Sequence, residues 1–129
     1  MPTDGTVSPP LRLVDSITEL QPADAGCMAV SGSHGGASSA RYAMAVRPLF
    51  SVFNDAGGGL DRAGLVALDQ LQQQDLAACT VSHMTARIGD AGSTLATGVV
   101  SYCNALAQRH GVVAGQTCRQ ALKGFVTPH

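Results

Sequence analysis

Three short apolar runs constrain this chain more than any other feature, because each is followed by a glycine-bearing loop and then by helical periodicity. Residues 27–30 (Cys-Met-Ala-Val) lead into Ser31-Gly32-Ser33-His34-Gly35-Gly36. A small-residue segment, 37–46, follows, with Tyr42 and Val46 four apart and Ala43 on the same side. Residues 49–53 (Leu-Phe-Ser-Val-Phe) lead into Asn54-Asp55-Ala56-Gly57-Gly58-Gly59. Beyond that loop an amphipathic helix is predicted from Asp61, with Leu65, Leu68 and Leu71 at helical spacing. Residues 77–81 (Ala-Ala-Cys-Thr-Val), extended toward His83 and Met84, lead into Arg87-Ile88-Gly89-Asp90-Ala91-Gly92-Ser93.

Short apolar runs bounded by turn residues read as buried strands, and strands separated by helices pair in parallel through right-handed crossovers. The predicted fold class is therefore α/β: a small two-layer or three-layer domain with a short, mainly parallel sheet of three to four strands. Its glycine-rich strand-to-helix loops then emerge together at the carboxyl edge, where open α/β sheets bind ligands. The three loops are expected to form one site.

The rest of the chain is read around that frame. Residues 1–10 are polar and end in Pro9-Pro10, a flexible lead-in to a single domain over 11–129. Residues 11–14 suggest a short strand, and Ser16 and Glu19 have the spacing of a capping box. A long helix is predicted from Gly92-Ser93 to Arg109-His110, with Leu95, Val99 and Leu106 on its buried stripe and Gly111 as its stop. Residues 112–113 then form a link or a fourth strand, and 116–125 a final helix.

Composition narrows the function classes. Charged residues make up 13% of the chain, against roughly 25% in ordinary domains. So few charges cover a monomer's surface poorly, and a homo-oligomer is expected. A net charge of −1, no Trp, and aromatic residues scattered at Tyr42, Phe50, Phe53, Tyr102 and Phe125 give no nucleic-acid footprint. No apolar run has the length of a membrane span. Met1-Pro2-Thr3-Asp4 lacks the basic start of a signal peptide, so cytoplasmic residence is the expectation. Cys27, Cys79, Cys103 and Cys118 have neither Cys-x-x-Cys nor metal-ligand spacing, and are read as reduced, largely buried thiols.

The chemistry sits in the loops. In the first, His34 is the candidate for proton transfer, since imidazole is the side chain best suited to it. Ser33 is a nucleophile or oxyanion-side donor, Ser31 a further hydroxyl, and the backbone of Gly35 and Gly36 offers N–H groups to an anion. In the second, Asp55 orients a histidine or acts as a base, and Asn54 and Gly57 contact the substrate. In the third, Arg87 clamps a carboxylate at two points, Asp90 is a second acidic candidate, and Ser93 adds a hydroxyl. Each has a plainer reading too. Asp55 is a turn residue, Asp61 a helix cap, Asp90 and Ser93 caps of the next helix, and Arg87 a partner for Asp90 or Asp55.

The P-loop ending, the dinucleotide fingerprint and the Gly-x-Ser-x-Gly elbow are all missing. No cofactor is expected; a divalent metal on His34, His83, Asp55 and Asp90 stays open as an alternative, although no recognised ligand spacing supports it. The reading that follows is a small hydrolase-like or lyase-like enzyme using acid–base chemistry on a small carboxylated metabolite. Its competitors are a non-catalytic binding module for an anionic or phosphorylated ligand and a structural subunit of a hetero-complex.

Overall fold

Along each apolar run the side chains alternate between two separate cores, the pattern of strands covered on both faces. Met28, Val30, Phe50, Val52, Ala77, Cys79 and Val81 belong to one core, while Ala29, Phe53 and Ala78 belong to the other. A computed structural model describes residues 6–57 and 65–128 of the chain. In it the sheet is built from β2 (Leu11–Val14), β3 (Met28–His34), β4 (Phe50–Asn54), β5 (Ala77–Val81) and β6 (Val100–Cys103), in that spatial order. The first four strands are parallel and β6 is antiparallel to β5. A separate antiparallel pair joins β1 (Thr6–Val7), from the stretch read as a lead-in, to β7 (Thr127–Pro128).

Helices α1 (Ala37–Val46) and α2 (Val66–Gln73) cover one face, together with the 3-10 turn at Ile17–Glu19. Ser16 and Glu19 form the expected capping box on that turn. Leu65, Leu68 and Leu71 are buried as their spacing requires, but α1 turns Ser39, Ala40 and Ala43 inward and leaves Tyr42 47% exposed. The other face is covered by α3 (Ala91–Thr97), α4 (Ala105–Arg109) and α5 (Cys118–Lys123), which supply Leu95, Ala107, Ala121 and Leu122 to the core. Two covered faces make the architecture three-layered.

The sheet has five strands, where three to four were expected, because Leu11–Val14 pairs and because the predicted long helix breaks. At the break, a Cβ on Gly98 would lie 2.9 Å from Val81 Cγ1 and closer still to Thr94 O, so the chain passes there as backbone only. Val99 and Val100 are β-branched and stiff, which favours extended backbone after the glycine. Asn104 then restarts the helix by accepting the Ala107 N–H. Leu95 and Leu106 reach one core from two helices, which is why they read as a single stripe. Other boundaries also move. The first run stays extended through His34, β5 stops at Val81 short of His83, residues 112–113 form no strand, and the last helix shrinks to Cys118–Lys123.

The thiols are free, and Cys27, Cys79 and Cys118 are buried. Burial pushes the Cys118 thiol up to about 12 and, with help from Asp24, that of Cys27 to about 11. Among the described residues no helix is long and apolar enough to cross a membrane.

Strand order in the five-stranded sheet follows the sequence without reversal. Among the described residues the sheet therefore lacks the crevice that a reversal opens in other α/β sheets. Any concavity at the carboxyl edge must be made by chain that crosses it, and residues 82–90 do so.

Candidate functional site

β4 delivers Asn54 and then Asp55 to the carboxyl edge, and the two side chains do different work. Asn54 is fully buried; its amide donates to Ala86 O at 3.1 Å and its oxygen accepts the Ala56 N–H at 2.8 Å. Asp55 Oδ1 accepts the Gly57 N–H at 2.8 Å, closing a turn in which Gly57 has a φ of 78°, a conformation suited to glycine. The same oxygen accepts the His83 N–H at 3.0 Å and lies 3.3 Å from His83 Nδ1. Ser101, arriving on β6, sits 2.9 Å from Thr80 Oγ1, and its hydroxyl helps to lower the Asp55 pKa.

Burial alone would raise the Asp55 pKa. The hydrogen bonds from Gly57 and His83, with the Ser101 hydroxyl as a further lowering influence, outweigh it and hold the carboxyl below its ordinary 3.8. The Asp55 side chain is 7% exposed and that of His83 46%, so a buried carboxylate backs a half-exposed imidazole. With Nδ1 turned to Asp55, Nε2 is the nitrogen left for a ligand. The ring packs over Gly57, where a Cβ would come within 3.5 Å of it.

After His83 the chain crosses the strand ends. Ala86 O rests on the Asn54 amide, and the Gly89 N–H donates to Gly32 O at 2.7 Å. Gly32 sits in the middle of β3 for a steric reason: a Cβ there would overlap the backbone of Gly89 and Asp90. The crossing then enters α3, whose first N–H groups are taken by Asp90 Oδ1 (from Ser93, 2.9 Å) and by the distant Asp15 Oδ1 (from Ala91, 2.9 Å). Ser93 Oγ accepts the Arg87 N–H at 2.9 Å, leaving the exposed guanidinium over a shallow open hollow. That hollow, of about 370 Å³, is lined by His83, Met84, Thr85, Ala86, Arg87 and Ser93.

The first loop goes elsewhere. Ser31 is buried and donates to Val52 O at 2.8 Å, while its carbonyl accepts from Thr94 Oγ1. Ser33 Oγ accepts the Ile17 N–H at 2.9 Å. Gly35 donates to Asn54 O and accepts from Ala67 N, and Gly36 is the N-cap of α1. His34 is exposed; its carbonyl accepts from Ser39 Oγ, and its ring makes no hydrogen bond to Asp55 or Asp90 among the described residues. Ser33 and His34 share a second hollow, of about 280 Å³, with Ser16, Thr18, Ser38 and Tyr42. Gly58, Gly59 and Asp61 lie outside the described residues.

Asp55, His83, Arg87 and Ser93 are thus brought to one part of the edge, and Ser33 with His34 to another. Asn54, Ser31, Gly35 and Asp90 are engaged in holding the backbone. Sequence reasoning missed His83 as the ring that Asp55 holds, although Asp55 comes one residue and His83 two residues after strands that run in register, with Asn54 opposite Val81. Ser101 escapes it too, because the helical pattern over 92–110 hides the strand that carries it. Among the described residues no three His, Cys, Asp or Glu side chains gather as a metal would require. What remains is one oriented imidazole beside an exposed guanidinium, an arrangement that can exchange a proton with a bound anion. Compared with known protein families, curated proteins and solved structures, the chain matches none of them.

Proposed function

We propose that the chain is a small enzyme that moves a proton on a small carboxylated substrate, in a hydrolase or lyase reaction. The observation that carries the reading is the 3.3 Å contact between the buried Asp55 carboxylate and His83 Nδ1. A carboxylate behind one ring nitrogen fixes the tautomer and stabilises the cation that forms when the other nitrogen takes a proton. His83 is then the acid–base group and Asp55 its positioning residue. Arg87 anchors the substrate carboxylate, and Ser93 supplies a hydroxyl at the floor of the hollow. Gly32 and Gly89 serve this reading by letting backbone pass close to backbone over the strand ends. His34 and Ser33 leave the catalytic set.

The test is turnover by the full chain on a panel of small hydroxy-, keto- and amino-carboxylates and their esters and amides. Where a substrate is found, His83→Gln should lower kcat by about 10²–10⁴-fold, the usual worth of a positioned acid–base group. Turnover unchanged in that variant removes His83 from the chemistry. The shallowness of the hollow favours a second reading, binding of an anion without conversion. Carboxylates that raise the unfolding temperature but are returned unchanged would select it. The same proposal takes the chain as a homo-oligomer, given its low charge and the exposure of Leu11 (43%) and Leu13 (45%) on edge strand β2. A monomer mass by light scattering would remove that part.

A further inference from the structure

The antiparallel register of β5 and β6 sets Cys79 opposite Cys103. The Asn104 N–H donates to Ala78 O at 3.0 Å, so the ladder's backbone bonds fall on either side of the two cysteines. They therefore occupy a non-hydrogen-bonded position, the kind in which opposed side chains come closest. Opposed residues also face the same side of a sheet, and the two thiols do meet one core, Cys79 fully buried and Cys103 half-buried against it. Cβ atoms in such pairs stand about 4.5–5.5 Å apart. A disulfide spans roughly 3.5–4.5 Å between Cβ atoms. A rotamer change and a small approach of the two strands bridge the difference.

We propose that Cys79 and Cys103 are an oxidative modification site, closing to an intrachain disulfide on reaction with a hydroperoxide. Cys103 reacts first because it is the more accessible of the two. Its sulfur takes the terminal oxygen of the peroxide as the O–O bond breaks, giving a sulfenic acid and releasing the alcohol, or water from hydrogen peroxide. The Cys79 sulfur then attacks the sulfenic sulfur; the S–S bond forms, the S–O bond breaks, and the hydroxide leaves with the Cys79 proton as water. Two thiols lose two electrons and two protons, and one peroxide is reduced. Burial raises the Cys79 thiol and shields it from peroxide, so it does not react first; it gives up its proton as its sulfur attacks the sulfenic acid beside it. Cys103 gives up a weak contact from its Sγ to Val112 O at 3.4 Å. Cys118, buried in the same core, is the competing partner.

The experiment is treatment of the folded full chain with hydrogen peroxide, alkylation in denaturant, and tryptic digestion without reductant. Cleavage at Arg87 and Arg109 separates the three cysteines of this core into different peptides. The expected product is a Cys79–Cys103 linked peptide pair from monomeric chain, retained in Cys118→Ser and abolished in Cys103→Ser, or in Cys103→Ala should the serine variant fail to fold. A link to Cys118, a link between chains, or sulfinic Cys103 without a link would each overturn the assignment. So would free thiols at a peroxide dose that fully oxidises N-acetylcysteine.

Discussion

Two histidines stand at the carboxyl edge of one sheet and differ in what lies behind them. His34 ends β3 inside the glycine-rich segment that most resembles a binding loop, yet its ring is exposed and unsupported by any carboxylate among the described residues. His83 follows β5 in a segment with no such signature, and a buried carboxylate orients it. The difference teaches that glycine marks where backbone passes close to backbone. A proton-transfer group is marked by the charge that holds it. The two regions touch at Gly32, where β3 packs on the turn before α3.

Breaking that contact should have the largest effect. In Gly32→Ala the new methyl has only backbone to meet, so no side chain can yield to it. The cost is expected at about 3 kcal/mol or more, or outright failure to fold. Chemical denaturation of the variant checks it, and wild-type stability would mean that the 89–90 turn does not seat on β3. Next in size is loss of the oriented ring. On any substrate found, His83→Gln should lose about 3–5 kcal/mol of transition-state stabilisation, since tenfold is about 1.4 kcal/mol.

How much of this was legible beforehand depends on what kind of signal each element left. The bounds of α1, the 77–81 body of β5 without its expected extension, and the burial of Leu65, Leu68 and Leu71 are legible, because periodicity reports one-sided or two-sided burial directly. A single helix from Gly92-Ser93 to Arg109-His110 is the wrong reading for the same reason, as Leu95 and Leu106 fill one core from two helices and counterfeit a single stripe. Asp55 was legible as a residue aimed from a strand end. Its partner was not, because the Asp55–His83 contact spans two elements and depends on a register that one-dimensional spacing does not carry. Asp15 capping α3 is invisible in sequence for the same reason.

Asp55→Asn sharpens the comparison at intermediate size. Asparagine keeps an oxygen for the Gly57 and His83 N–H groups and removes only the charge. A fall in kcat of roughly tenfold to a hundredfold is expected, smaller than that of His83→Gln because the ring itself remains. Stability gives an independent reading. Folded Asp55 is more acidic than its ordinary 3.8, so the unfolded chain binds the proton more tightly. The contribution is present above that value and is lost as pH falls through the lower folded pKa. Wild type should therefore lose stability on acidification more steeply than Asp55→Asn; parallel curves would mean that the hydrogen bonds do not hold a charge. Arg87→Ala should act less, raising KM about tenfold with kcat nearly unchanged, as loss of an exposed anchor does.

The smallest expected effect falls on the residue that the sequence favoured most. His34→Ala removes an exposed ring whose own carbonyl, not its imidazole, does the bonding, through Ser39 Oγ. Stability should change by less than about 0.5 kcal/mol, as for surface substitutions in general. Turnover should stay within about twofold, well inside the scatter expected when no transition-state contact is lost. A collapse of turnover with folding intact would invert the comparison. His34 would then be the proton-transfer group despite lacking an orienting carboxylate. The Asp55–His83 pair would be a fastening that keeps residues 82–90 down on the sheet edge. The two outcomes differ by orders of magnitude in kcat, so one pair of variants decides between them.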